Sequence, residues 1–87
     1  MNKYSRSFVS LCPSNHAAII YSLVIESEKM IYVEHINTAV AIFRKDYHEK
    51  IADELFKAFG GKQTITAHHH GVDVETKRGF NSALEAV

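Results

Sequence analysis

The stretch of sequence that sets the fold is DYHEKIADELFKAFGG, residues 46–61. Its apolar residues recur at the spacing of one helix face, and they are Ile51, Ala52, Leu55, Phe56 and Phe59. Asp46 and Glu49 have the spacing of a capping box, in which the first side chain caps the helix. Gly60 is a natural stop because glycine accepts the left-handed conformation. The pattern predicts an amphipathic helix between Asp46 and Gly60.

Segments typical of strands lie on both sides of this helix. Residues 4–11 and 17–27 are rich in β-branched and aromatic residues, which favour strands. From about Val33 the apolar residues return to helical spacing and predict another helix. Residues 63–67 and 72–76 alternate apolar with polar residues around a turn-like HHHG and predict a hairpin. The predicted order is strand, strand, helix, helix, strand, strand.

The link between the first two strands, CPSNH at residues 12–16, has the composition of a turn. Proline lacks a backbone donor, and serine and asparagine side chains bond their own backbone. This places Cys12 at the end of a strand. A nearly continuous apolar run is ambiguous by periodicity, so residues 17–27 also admit a buried helix capped at Ser14. We expect the strand.

Length and composition limit the class of protein. The 87 residues predict one domain over 1–87, with a flexible tail from about residue 79. A chain this short buries little surface alone, so we expect a homo-oligomer. Ten basic residues balance ten acidic ones, which gives no general attraction to nucleic acid. One cysteine, no signal peptide and no long apolar run predict a cytoplasmic protein without membrane association.

Two side chains are candidates for chemistry, the single thiol of Cys12 and the carboxylate of Glu49. An activated thiol is a nucleophile, whereas an unreactive cysteine is a small buried residue. A carboxylate can accept hydrogen bonds from a guanine-like edge, whereas a Glu in the first turn of a helix also caps it. Residue type alone leaves both interpretations open for each residue.

Short motifs give these two residues a context. Ser10-Leu11-Cys12-Pro13 is similar to the Ser-x-Cys-Pro motif of the 7-cyano-7-deazaguanine reductases and of the QueF-like amidinotransferases that make archaeosine. Phe43-Arg44, His48-Glu49 and Ala52-Asp53-Glu54-Leu55 resemble the Phe/Tyr-Arg, His-Glu and Ala-x-x-Leu motifs of the same family. Gly71-Val72-Asp73-Val74-Glu75 resembles the Gly-Val-x-Val-Glu strand of the amidinotransferases. The order of the motifs agrees with the predicted elements.

The resemblance implies a fold and a chemistry. The fold is the tunnelling fold (T-fold), an α+β domain in which an antiparallel ββααββ sheet packs on two helices and joins others into an oligomeric barrel. Cys12 would attack the nitrile of 7-cyano-7-deazaguanine, free or in a nucleic acid, to form a thioimide. Glu49 would clamp the guanine-like edge, with His48, Arg44 and Glu34 beside it, in a site between subunits.

Departures from the family pattern bear on the reaction. Family members carry an Asp seven residues after the cysteine as acid and base, and Ile19 stands there. His16, in the same turn as Cys12, is the predicted substitute because imidazole titrates near neutrality. The reductases bind NADPH with help from a Glu-Ser-Lys-rich stretch, in place of which this chain has residues 33–37, VEHIN. We therefore expect ammonia addition, which needs no cofactor, rather than the NADPH-dependent reduction of the queuosine pathway.

Other classes of function stay open. T-fold cyclohydrolases hold zinc, and the histidines at 68–70 invite that interpretation. Neighbouring residues on a strand face opposite sides, so only His68 and His70 could share an ion, and we expect no zinc. A binding module that keeps the guanine pocket without catalysis would need Glu49 but not a reactive Cys12. A small interaction protein would need neither.

Overall fold

The computed structural model describes residues 1–80, which form four strands and two helices. In chain order they are β1 Asn2–Leu11, β2 Ala18–Ser27, α1 Val33–Ala41, α2 His48–Phe59, β3 Lys62–His69 and β4 Val72–Arg78. The predicted order ββααββ is confirmed, and the segment after Ser14 is a strand rather than a buried helix. Within residues 1–80, no helix is long and apolar enough to cross a membrane.

The strands form one antiparallel sheet in the order β1-β2-β3-β4. The register places Phe8 opposite Tyr21, Tyr21 opposite Ala67, and Ala67 opposite Val74. Facing residues of antiparallel strands point to the same side of the sheet, so these side chains form one transverse row. The row lies near the β1–β2 link, because the paired strands end soon afterwards at Leu11.

The helices cover one face of the sheet, and the hydrophobic core lies between them and that face. Alternate residues of β2 point to the core and are buried. Helix α2 contributes Ile51 and Leu55, which are fully buried. On the opposite face of the sheet Val9 and Ile20 are exposed. The hydrophobic core therefore lies on the face of the sheet that the helices cover, and α2 packs over it.

The start of α2 differs from the prediction. The helix begins at His48, and its N-cap residue Tyr47 makes no capping hydrogen bond with its side chain. The prediction of Asp46 as the cap was wrong, because Asp46 lies one residue before the cap position. Its backbone N–H donates to Ser10 Oγ at 3.4 Å, and its carboxylate pairs with Lys50 Nζ at 3.3 Å. A contact with β1 therefore decides where this residue lies.

The turn of the hairpin contains fewer residues than the sequence pattern indicated. Strand β3 continues to His69, and the turn consists of His70 and Gly71, with φ of 53° and 78°. Two positive φ values are typical of a type I′ turn, whose twist matches that of the strands. His68 bonds Asp73 Oδ1 through Nδ1 at 2.8 Å on the uncovered face. His68 is thus paired with Asp73 rather than with another histidine.

The C-terminal part of the sheet is longer than predicted, because β4 extends to Arg78. Gly79 follows with φ of 78°, and a Cβ at this position would clash with the carbonyl oxygen of Gly61. Glycine is therefore required where the chain leaves the sheet. The remainder of the predicted tail, residues 81–87, lies outside the described residues.

Gln63 links the end of α2 to β3. Its side chain is buried, and Nε2 donates to the carbonyl oxygens of Leu55 at 2.9 Å and Gly60 at 2.8 Å. The last carbonyl groups of a helix lack partners within the helix, so a side-chain donor stabilises that end. Gly60, with φ of 64°, ends the helix as the sequence predicts.

Replacing Gln63 with methionine keeps the side-chain length and removes the donor. We expect the free energy of unfolding to fall by about 1–3 kcal/mol, because buried carbonyl oxygens lose their partner. Urea denaturation measures the change. Thr64→Val, on the neighbouring residue that faces away from the core, is the matched control and should shift stability by no more than about 0.5 kcal/mol. Equal stability of Gln63→Met and the wild type would contradict this role.

Candidate functional site

A cavity of about 200 Å³ lies between the sheet and the beginning of α2. The polar and reactive side chains that line it are Cys12, Tyr21, Asp46, Tyr47, His48, Glu49 and His69. Three of the predicted site residues, Cys12, His48 and Glu49, thus share one cavity within a single chain. The thiol and the carboxylate therefore line the same cavity without a second subunit.

Two hydrogen bonds bring these residues together. The backbone N–H of Leu11 donates to the carbonyl of Arg44 at 2.8 Å, and Asp46 N–H donates to Ser10 Oγ at 3.4 Å. Both bonds join the end of β1 to the loop that precedes α2. Because Cys12 directly follows Leu11, and His48 follows the loop, the two ends of the site are fixed relative to each other.

Cys12 is buried, at 2% exposure, in a turn that surrounds its sulfur with donors. The Sγ atom lies 3.1 Å from Ser14 Oγ, and the backbone N–H of His16 donates to the Cys12 carbonyl at 2.8 Å. The Ser14 hydroxyl, followed by the backbone of Asn15, lowers the pKa of the Cys12 thiol, although burial opposes this. A lower pKa raises the thiolate fraction, and the thiolate is the nucleophilic form.

The imidazole of His48 is neutral near pH 7. Burial lowers the pKa of His48 below its ordinary value, and the backbone of Ile65 and the charge of Glu49 only partly oppose this. Its ring centroid lies 5.3 Å from that of Tyr21. A neutral imidazole has one donor and one acceptor nitrogen, so His48 can bind a polar group of a ligand without adding charge.

Two ring nitrogens are left without partners in this region. Nε2 of His48 and Nε2 of His69 are buried and form no hydrogen bond within residues 1–80. Both histidines line the cavity. Buried polar atoms are nearly always paired, so these nitrogens are suited to bind water or a ligand in the cavity. Among residues 1–80, no three Cys, His, Asp or Glu side chains are grouped closely enough to hold a metal ion.

Glu49 lies at the mouth of the cavity, with its side chain 78% exposed. Its Oε1 accepts a hydrogen bond from Arg78 Nη2 at 3.1 Å. Arg78 Nε also donates to Asp53 Oδ1 at 2.9 Å, so the guanidinium joins β4 to two carboxylates of α2. This fixes the direction of the Glu49 side chain and leaves Oε2 outside the ion pair.

Three predicted residues lie outside the cavity. His16 is exposed at the far side of the turn, with φ of 62°, and its backbone rather than its ring contacts Cys12. Arg44 contributes its carbonyl group to the bond with Leu11, and the residue is exposed. Glu34 is exposed in the first turn of α1, which packs beside the other end of β1. The structure therefore does not bring His16, Arg44 or Glu34 into the candidate site.

Four polar residues in the cavity were not predicted to be there, Tyr21, Asp46, Tyr47 and His69. Alternation on β3 puts His69 on the same face as the buried Ile65 and Ala67, so its position was available from the period of two. Tyr21 lies in a nearly continuous apolar run, in which neither face is marked by polar residues. Asp46 has the spacing of a helix cap, and this local pattern gives no indication of its contact with β1.

The structure is similar to the crystal structure of the archaeosine synthase QueF-Like in the apo form, with a TM-score of 0.65 and 18% sequence identity. The match covers 92% of this chain and 94% of that chain. No protein-family model matches the sequence, and no curated protein matches it significantly. At 18% identity the similarity establishes the fold. The predicted α+β tunnelling fold is thereby confirmed, and the chain has the fold of a QueF-like protein.

The contact between Ser14 and Cys12 predicts the effect of Ser14→Ala. Loss of the hydroxyl should raise the pKa of the Cys12 thiol, so the variant would hold less thiolate near neutral pH. The ultraviolet absorbance of the thiolate, followed across a pH titration, measures this pKa directly. Ser22→Ala, on the uncovered face of β2, is the control and should leave the titration unchanged. A Ser14→Ala titration identical to that of the wild type would show that the hydroxyl does not activate the thiol.

Proposed function

We propose that this protein acts on the nitrile of 7-cyano-7-deazaguanine, as the free base or within a nucleic acid, and adds ammonia to give an amidine. The observation that carries the proposal is that Cys12, His48 and Glu49 line one cavity. The fold shared with the archaeosine synthase QueF-Like agrees with this chemistry. The assignment of the reaction rests on the sequence motifs that resemble those of the QueF-like amidinotransferases, and the chemistry of these side chains agrees with it.

Cys12 supplies the nucleophile for the first step. Its thiolate attacks the nitrile carbon, an S–C bond forms, one π bond of the nitrile breaks, and the nitrogen takes up a proton to give a thioimide. Ammonia then adds to the same carbon, and the C–S bond breaks to release the amidine and the thiolate. Division into two additions makes each step easier. The lowered pKa of Cys12 serves both steps, because a stabilised thiolate is also the better leaving group.

Glu49 supplies recognition of the base. Its free Oε2 would accept hydrogen bonds from the ring N–H and the exocyclic amino group of a guanine-like edge, and such charge-assisted bonds exceed neutral ones in strength. The unpartnered Nε2 atoms of His48 and His69 provide two further polar contacts. The cavity of about 200 Å³ is below the roughly 300–1,000 Å³ of sites for drug-sized ligands, which suits one heterocyclic base.

We also propose assembly into a homo-oligomeric barrel. Within residues 1–80, no helix covers the face of the sheet on which Val9 and Ile20 are exposed, and β1 and β4 are the edges of the sheet. Edge strands are templates for pairing with another chain. Since Cys12 and Glu49 already share a cavity within one chain, a second subunit would close the open side of the site rather than supply either group.

The proposed reaction predicts a covalent adduct. Intact mass spectrometry of the protein incubated with 7-cyano-7-deazaguanine should show an increase equal to the mass of the ligand, because addition to a nitrile loses no atoms. Cys12→Ser is the matched control and should show no adduct. Ammonium ions should discharge the adduct as the amidine, whereas NADPH should not. An adduct that forms equally in Cys12→Ser, or none in the wild type, would contradict the proposed reaction.

A guanine-binding module without catalysis is the second candidate. Two observations favour it, the burial of Cys12 at 2% exposure and the apolar Ile19 in the wall of the cavity. Such a module would bind the base through Glu49 without using the thiol. The catalytic candidate therefore predicts a covalent adduct and the binding module does not, whereas both candidates need Glu49.

Glu49→Gln tests recognition under either candidate. We expect the dissociation constant for a 7-deazaguanine ligand to rise about 10- to 100-fold, since hydrogen bonds to a charged group contribute about 1.5–3 kcal/mol. Isothermal titration calorimetry gives the constant. Asp53→Asn removes the other carboxylate partner of Arg78 outside the cavity and is the matched control. Equal affinities of Glu49→Gln and the wild type would exclude Glu49 from the binding site.

A further inference from the structure

Two phenols line the cavity without a role in the chemistry described so far, and that of Tyr21 is the buried one. Tyr21 lies on β2, is 1% exposed, and lines the cavity together with Cys12 and Asp46. Its ring stacks on Phe8, with centroids 5.3 Å apart and planes 15° apart. The ring of His48 contacts it from another side at 5.3 Å. The surrounding rings thus restrict the orientation of the phenol in the cavity that Cys12 also lines.

Addition of a thiolate to a nitrile requires a proton at the nitrile nitrogen, and few groups in the cavity can give one. The carboxylate of Asp46 is paired with Lys50 Nζ at 3.3 Å, and that of Glu49 is paired with Arg78. Both carboxylates are thus engaged as acceptors of a cation's N–H groups and are not placed to donate a proton. Ile19, in the cavity wall, has no acidic proton at all.

His48 is a poor donor in the same cavity, and His16 lies outside it. Burial lowers the pKa of His48 and favours the neutral imidazole, which holds its one remaining N–H proton tightly. The Tyr21 phenol stays protonated, because burial and then the negative charges of Cys12 and Asp46 raise its pKa. Tyr47 also brings a phenol to the cavity, but that residue is 60% exposed, whereas Tyr21 is 1% exposed. The buried phenol of Tyr21 therefore still has a proton when the nitrogen needs it.

We propose that Tyr21 is the general acid that protonates the nitrile nitrogen as Cys12 attacks the carbon, a role that rests on the proposed function. The phenol proton moves to the nitrogen as the S–C bond forms, which leaves a neutral thioimide and a tyrosinate. The tyrosinate then takes a proton from the incoming ammonium ion and frees ammonia to attack the thioimide carbon. The C–S bond then breaks, Cys12 leaves as the thiolate, and the product leaves as the amidinium ion, which keeps the remaining proton of ammonia. Each proton is accounted for, and Tyr21 returns to its starting form.

Tyr21→Phe tests this role, because it removes the hydroxyl and keeps the ring between Phe8 and His48. Rapid-quench mass spectrometry should show adduct formation slowed by about 100-fold or more, as general acids contribute roughly 10²- to 10⁴-fold. Tyr32→Phe, with an exposed ring at the start of α1, is the matched control and should react at the wild-type rate. The ultraviolet titration of Cys12 in Tyr21→Phe should still yield a thiolate.

A second variant distinguishes a proton-donating Tyr21 from a Tyr21 that only packs in the cavity wall. Fluorotyrosine incorporated at position 21 keeps the hydroxyl and makes it more acidic, so the fall of the adduct rate at high pH should move to lower pH. A Tyr21→Phe rate equal to that of the wild type, or an unmoved pH profile for the fluorinated protein, would overturn the role of Tyr21 and leave the proposed function intact. Absence of any adduct in the wild type would overturn both.

Discussion

The site depends on the attachment of the loop before α2 to the end of β1. Leu11 N–H donates to the Arg44 carbonyl at 2.8 Å, and Asp46 N–H donates to Ser10 Oγ at 3.4 Å. These bonds join segments far apart in sequence, and they place the first turn of α2 over the cysteine turn. Cys12 follows the end of a strand, and Glu49 lies in the first turn of a helix. Without these two bonds, nothing in their local sequence would place them at the same cavity.

The sheet supplies the second half of the site. The row from Phe8 through Tyr21 and Ala67 to Val74 crosses all four strands, and three of its members line the cavity. Aromatic packing holds Tyr21 from both sides, so its hydroxyl has a fixed position in a partly buried environment. Burial separates the roles of the titratable groups, because it keeps His48 neutral and Tyr21 protonated while the Ser14 contact favours the Cys12 thiolate. The proposed acid, nucleophile and acceptor thus all line one small cavity.

The order of elements could be predicted from the sequence, because strands, helices and the stop at Gly60 each have a local signature. The motif around Cys12 and the His48-Glu49 pair led to three residues that the structure places together. Failures occurred where a distant contact decides the outcome. Asp46 had cap spacing but is held by Ser10, and Arg44 acts through its carbonyl, which no side-chain pattern can indicate.

Proximity in sequence was a poor guide to proximity in space within the cysteine turn. His16 is close to Cys12 along the chain, yet the left-handed conformation at His16 turns its side chain out of the cavity. Tyr21 is farther along the chain, yet its side chain lines the same cavity as Cys12. The same holds for Glu34, because α1 packs beside the opposite end of β1.

The central claim is that one cavity binds a guanine-like nitrile between Cys12 and Glu49. A crystal structure of the protein with 7-cyano-7-deazaguanine tests it most directly. The account predicts continuous density from Cys12 Sγ to the ligand carbon, with a Glu49 carboxylate oxygen within hydrogen-bond distance of the guanine-like edge. A ligand bound elsewhere, or one in this cavity with its base edge turned away from Glu49, would contradict the claim.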